Sequence, residues 1–211
     1  MDSNDDLRDT YLTVAGSGSA ELTVKASRFI GEAVPAASVE QAMAYVDAVR
    51  KREYNASHHC FAYRLGFDAE NFRYSDDGEP NGTGGSPILR HIDGRGLTNL
   101  VVVVTRYYGG TNLGTGGLIR AYGDAAAAAL DAAGTVTNIL RERVSLTFQY
   151  ADTSPAMHTI NQFDAPILDT HYTDVTEIIV DVRRAETDAL DAMFTAALAG
   201  RGAVQRLDLN P

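Results

Sequence analysis

Residues 100–130 read LVVVVTRYYGGTNLGTGGLIRAYGDAAAAAL. Leu100 and the four valines after it form an apolar run without alternation, the pattern of a strand covered on both faces. Five glycines follow within nine residues, Gly109, Gly110, Gly114, Gly116 and Gly117, and the chain leaves them as an alanine-rich stretch that predicts a helix over 115–132. Strand, glycine turn and helix in this order predict a sheet with helices packed on it. The glycines also raise a chemical question, since residues without side chains let another group approach the main chain.

Outward from this stretch the pattern is mixed. AELTVKASRFIGEAVPA (20–36) reads as extended segments, SVEQAMAYVDAVRKREY (38–54) as a helix and HHCFAYRLG (58–66) as a strand. YSDDGEPNGTGGSPIL (74–89) reads as a polar, glycine-rich loop entering a short helix, and a strand is expected near 135–140. Residues 20–141 thus form an α+β domain preceded by an acidic N-terminal segment, residues 1–19. The boundary is expected near 139–143. Beyond it, RVSLTFQY alternates as a strand, and SPAMHTINQF opens as a Ser-Pro helix start. PILDTHYTD and VTEIIVDVR follow as a strand pair. AETDALDAMFTAALAG is an amphipathic helix ended by Gly200, and AVQRLDL is a last strand. The order β-α-β-β-α-β over residues 142–211 predicts a ferredoxin-like sandwich.

Composition bounds the functional classes. No run of about 18 apolar residues is present, which excludes a membrane-spanning helix. The opening MDSNDDLRDT is the opposite of a secretory leader, and the single Cys60 cannot form a disulfide within the chain. A cytoplasmic protein is therefore expected. The formal net charge is −10, Lys25 and Lys51 are the only lysines, and aspartates outnumber glutamates about two to one. An aspartate-rich, lysine-poor surface stays solvated when salt is concentrated, so a halophilic, acidic protein of a high-salt cytoplasm is expected. Thermal stability measured against KCl tests this. The charge is uneven. Residues 1–141 carry thirteen basic and seventeen acidic residues, a net of −4, and residues 142–211 carry five and eleven, a net of −6.

Two loops could carry chemistry. The glycine turn at 109–117 feeds a helix N-terminus, whose free N–H groups and dipole favour anions. Arg106 and Arg120 flank it and could add charge-assisted hydrogen bonds, and Tyr107 and Tyr108 offer faces for a stacked base. It is neither a P-loop nor a dinucleotide fingerprint. The alternative is a tight strand-to-helix connection in which the glycines serve packing. In the second loop, Asp76, Asp77 and Glu79 fall within four positions. They could bind Mg²⁺, act as acid and base, cap backbone N–H groups, or pair with Arg106 or Arg120. His58, His59 and Cys60 alternate across a strand and so cannot all ligate one metal. No metal site and no cofactor are expected, and Cys60 reads as a buried thiol.

KASRFIG (25–31), HHCFAYRLG (58–66), SDDGEPNGTGGSPIL (75–89) and VVVVTRYYGGTNLGTGGLIRAYGDA (101–125) resemble the IMPACT/YigZ family, uncharacterised protein family 0029. Residues 142–211 are similar to that family's optional C-terminal domain. The resemblance implies a first domain like the second domain of ribosomal protein S-five, and a second like the ferredoxin-like domains of elongation factor G. It marks Arg28, His58, His59, Ser75–Pro80, Arg106, Tyr107, Tyr108, Gly109, Gly110, Gly114, Thr115, Gly116 and Gly117. Ser86 departs from the pattern, where many relatives are expected to carry lysine, as do Asn81 and Gly84, where alanine-sized residues are expected. Eukaryotic members regulate translation by competing for the co-activator of the amino-acid-starvation kinase and carry an RWD domain. The segment before residue 20 leaves no room for that domain, so the kinase-pathway role is not expected here.

Three functions remain in view. The first is a translation-associated regulator that binds RNA, the ribosome or a translation-linked protein through Ser75–Pro80 and Arg106–Gly117. The second is an enzyme acting on a phosphorylated or carboxylated small molecule, with Asp76, Asp77 or Glu79 as catalytic candidates. The third is a protein–protein adaptor. The first is favoured over catalysis, with RNA, ribosome or protein as partner and neither DNA nor membrane. All three require the two loops to meet in one pocket.

Overall fold

A computed structural model describes residues 9–207, which fall into two compact units. One is Tyr11–Asn138; the other comprises residues 139–207 together with 9 and 10. Residues 1–8 of the acidic segment, and the last two residues of the expected strand AVQRLDL, lie outside the described residues.

The first unit runs β1 (Thr10–Val14), β2 (Gly18–Val24), β3 (Ser27–Pro35), α1 (Val39–Arg52), β4 (His58–Leu65), β5 (Asn71–Ser75), α2 (Gly85–Asp93), β6 (Leu100–Tyr107), α3 (Gly114–Ala133) and β7 (Thr135–Ile139). Five strands form an antiparallel sheet of order β2-β3-β6-β4-β5, and β1 pairs separately with β7. The valine run explains itself here. β6 is the middle strand, with α2 and α3 on one face and α1 on the other. Val102 and Val104 join the core with Phe29, Ile88 and Tyr122, while Val101 and Val103 pack with Val46, Val49 and Phe61. Each fully buried valine contributes about 1.5–3 kcal/mol. The alanines of α3 let it lie close on the sheet, and Gly31 is the residue it crosses. A Cβ there would stand 2.3 Å from the Ala125 carbonyl oxygen.

One element was not legible. β5 had been expected as loop in its last residues, and it is a strand paired with β4, Ala62 opposite Tyr74 and Arg64 opposite Phe72. None of its five residues is buried, so no alternation betrays it.

The second unit runs β8 (Arg141–Phe148), α4 (Thr153–Ile160), β9 (Ile167–Tyr172), β10 (Thr176–Arg183), α5 (Thr187–Ala197) and β11 (Ala203–Leu207). The sheet order β11-β8-β10-β9, antiparallel throughout, is the ferredoxin-like sandwich read from the sequence. Val144, Leu146 and Phe148 alternate inward opposite Ile178, Val180 and Val182, and the two helices close that face through Ile160, Leu190 and Phe194. The chain turns out of α5 through Ala199 and Gly200, both at positive φ.

Candidate functional site

The loop after β5 is held by its own carboxylates. Asp76 accepts N–H groups from Gly82 (2.8 Å), Gly84 (2.9 Å) and Gly85 (2.8 Å). It thereby caps α2, whose Gly84 has no side chain to do so. Asp77 enters the turn at positive φ, followed by Gly78, the geometry an Asp-Gly pair favours. Its carboxylate accepts from Arg50 Nη2 (2.9 Å) and from the His59 N–H (2.7 Å). Both aspartates are thus spent on the protein's own donors. Glu79 points the other way. Its Oε1 accepts from Arg106 Nη1 (2.6 Å) and from the Tyr122 hydroxyl (2.8 Å). The Glu79 and Arg106 side chains are only 4% and 6% exposed.

Arg106 stands at the end of β6 on the α3 side of the sheet. Glu79 and Ser27 Oγ hold its guanidinium, which lies over the Tyr108 ring at 5.2 Å. His58, opposite Arg106 in the β4–β6 register, has Nδ1 2.8 Å from the Asp77 carbonyl oxygen. A carbonyl only accepts, so Nδ1 carries a hydrogen, and Nε2 lies 3.9 Å from Glu79 Oε1.

The glycine turn closes the other side. Gly109 is required by packing, because a Cβ there would stand 2.1 Å from the Ala26 carbonyl oxygen. Gly116 is the opposite case, in the first turn of α3 with nothing within 4 Å of a built Cβ. That helix begins after Leu113 with no side-chain cap and no acidic residue in its first turn, so its leading N–H groups are uncapped. Ser57, His58, Glu79, Pro80, Arg106, Tyr108 and the start of α3 line one cleft of about 480 Å³. Glu79 and Pro80 of one loop and Arg106, Tyr108 and residues 112–115 of the other therefore share a single concavity, which residues 75–78, Gly109, Gly110, Gly116 and Gly117 do not line.

The other residues singled out in the sequence lie apart from it. Arg28 covers the Tyr107 ring at 4.5 Å, and the Tyr107 hydroxyl donates to Glu53 at 2.7 Å. That bond pushes the phenol pKa up and holds the Glu53 carboxyl below its ordinary range. His59 Nε2 lies 3.2 Å from the Glu53 carbonyl oxygen. These groups occupy the opposite face of the sheet, as strand alternation requires. Arg120 is exposed on α3, one turn past Gly116, and makes no ion pair among the described residues. Burial pushes the Cys60 thiol and the Tyr122 phenol well up. Among the described residues, no group of three or more His, Cys, Asp and Glu side chains is arranged to hold a metal ion. Ser57 and Tyr122 were not marked by the sequence. Ser57 has a polar role visible only in three dimensions, accepting the Tyr108 N–H at 3.2 Å, and Tyr122 reads as ordinary core of an apolar helix.

Comparison with known proteins bears on this arrangement. Residues 25–130 match the family model described as the Impact N-terminal domain, and residues 146–201 match a domain of unknown function, DUF1949. The Escherichia coli protein YigZ, an IMPACT family member, is 36% identical over 206 residues, 96% of this chain and 99% of that protein. The chain belongs to the IMPACT family. Its similarity extends to the family member YvyE of Bacillus subtilis, 31% identical over 95% of this chain and 93% of that protein. An IMPACT family member of Thermus thermophilus is 50% identical over 107 residues, 51% of this chain and 56% of that protein. A solved crystal structure described as that of a hypothetical protein superposes with a TM-score of 0.72 at 31% identity, covering 97% of this chain and all of that one. No helix of the described residues is long and apolar enough to cross a membrane.

Proposed function

We propose that this IMPACT family protein is a cytoplasmic, translation-associated regulator that binds single-stranded RNA in the cleft between its two loops. A backbone phosphate sits against the uncapped first turn of α3, and the adjoining base stacks on Tyr108. One observation carries the reading. The α3 N-terminus, through Leu113, Gly114 and Thr115, lines the same cleft as Tyr108, whose residue surface is 49% exposed and whose ring is backed by a pinned guanidinium. Uncapped N–H groups and a dipole suit an anion, and a ring held in place loses little entropy on stacking.

The net charge of −10 does not oppose this. Arg106 is neutralised by Glu79, so affinity rests on main-chain hydrogen bonds and stacking. The salt dependence is accordingly shallow, with a log–log slope of about −0.7 for each phosphate whose counterion is released. In a salt-rich cytoplasm that is an advantage. The test is fluorescence anisotropy of a short labelled oligouridine with the wild-type protein, Tyr108→Ala and Arg120→Ala. Tyr108→Ala is expected to bind on the order of tenfold more weakly with an unchanged melting temperature. Unchanged affinity overturns the reading.

A second reading has one observation of its own. His58 lines a cleft whose volume lies in the range of small-molecule sites, with Nε2 3.9 Å from the Glu79 carboxylate. An enzyme acting on a phosphorylated metabolite would use His58 as a base. Thermal stabilisation by mononucleotides that is lost in His58→Ala, without any RNA affinity, would favour that reading.

A further inference from the structure

Resting on the RNA reading of the cleft, we infer that the RNA path leaves the cleft and continues along β5, where Tyr74 and Phe72 are successive stacking platforms. β5 is the edge strand of the sheet, and its last residue, Ser75, leads directly into the loop that supplies Glu79 and Pro80 to the cleft. Tyr74 and Phe72 lie opposite Ala62 and Arg64 of β4, on the same face of the sheet as His58. At about 3.4 Å per residue, Tyr74 stands roughly 13 Å along β4 from His58, and Phe72 roughly 7 Å further. Cys60 and Ala62 between them are buried beneath the start of α2, so an extended single strand passes over the 76–84 loop, spanning the first gap in at least about two steps and the second in one.

The two rings are exposed, Phe72 by 51% and Tyr74 by 43%. An edge strand that had only to stay soluble would carry charge at such positions. Phe72 also repeats the device seen at Tyr108. The Arg64 guanidinium lies over its ring at 5.0 Å and is itself fixed by Asp93 (2.6 Å) and by the Ala69 carbonyl. Two exposed aromatic rings in the unit are thus each backed by an immobilised arginine, one at each end of the proposed path. Arg90 on α2 is exposed and makes no ion pair among the described residues, whereas Arg73 alternates to the other face of β5. The carboxylates the strand must pass, Asp76 and Asp77, are already engaged by backbone N–H groups and Arg50. Asp68 and Glu70, just before β5, mark where the path ends by repulsion. The footprint is about five nucleotides.

The test compares oligouridines of roughly three and roughly eight nucleotides, chosen to fill the cleft alone or the cleft and β5, by anisotropy at fixed salt. Wild-type protein is expected to bind the longer one more tightly. The double variant Phe72→Ala/Tyr74→Ala is expected to lose on the order of tenfold or more for the longer oligomer and nothing for the shorter. Phe72→Leu/Tyr74→Leu keeps apolar area without a π face and is expected to fail in the same way. All variants alter exposed positions, and circular dichroism verifies their fold. Equal affinity for both lengths, or no effect of the alanine pair, overturns the β5 path while leaving the cleft standing. Full binding by the leucine pair overturns stacking. Absence of binding at either length overturns the path together with the cleft reading on which it rests.

Discussion

Replacing Asp76 by alanine is expected to dismantle the loop that forms one wall of the cleft. The side chain accepts three backbone N–H groups at 2.8–2.9 Å, and two of their donors, Gly84 and Gly85, are buried. Water can replace the partner of Gly82 but not those of the buried pair. Each buried donor left without an acceptor costs about 1–3 kcal/mol, so the variant is expected to lose about 3–5 kcal/mol. That is a large fraction of the roughly 5–15 kcal/mol that holds a typical domain together. Asp76→Asn retains an oxygen for Gly84 and Gly85 and turns an NH₂ toward Gly82, for a smaller loss of about 1–2 kcal/mol. Urea unfolding followed by circular dichroism measures the global effect, and amide hydrogen exchange at Gly84 and Gly85 isolates the local one. Asp76→Ala unfolding within about 1 kcal/mol of wild type, with both amides still protected, would refute the reasoning.

Gly109→Ala is expected to destabilise the first unit severely, because its Cβ would meet the Ala26 carbonyl oxygen at 2.1 Å and neither backbone can yield cheaply; a thermal melt reads this directly. His91, half-buried between α2 and α3, has its pKa lowered from 6.5, first by desolvation and then by Arg95. Its neutral form favours the fold, so that contribution is fully present above about 6.5 and lost as the pH falls from there through the lowered folded value. His91→Gln is expected to flatten this segment of the stability–pH curve. Cys60 is buried and its thiol pKa is pushed up by that burial, so it is expected to ignore Ellman's reagent in the native protein and to react once in urea.

What the sequence disclosed depended on whether a residue's surroundings leave a periodic trace. The ferredoxin-like unit did, since Val144, Leu146 and Phe148 alternate with polar residues across a sheet covered on one face. β6 did as well, because only a strand covered on both faces carries Leu100–Val104 without a break. β5 left none, having no buried residue. The carboxylate loop was legible in its residues but not in its roles. Capping, pairing and acid–base work all suit Asp76, Asp77 and Glu79 as written; the choice is made for Asp76 by the N–H groups of Gly82, Gly84 and Gly85, and for the other two by donors 27 residues away in each direction, Arg50 for Asp77 and Arg106 for Glu79. The five glycines divide in the same manner. Gly109 serves packing and Gly116 faces open space, a distinction set by the neighbouring β2–β3 turn rather than by the motif.

Thr115→Asp separates binding from folding most sharply. Thr115 is exposed in the first turn of α3 and lines the cleft, and a carboxylate there is expected to raise stability by about 0.3–1 kcal/mol through the helix dipole. The same carboxylate sets a negative charge at the helix end assigned to the RNA phosphate. A higher melting temperature accompanied by at least a roughly tenfold loss of short-oligouridine affinity, with the neutral Thr115→Asn binding normally, is the expected result. Unaltered affinity in a stabilised Thr115→Asp protein would mean that no anion binds at the start of α3.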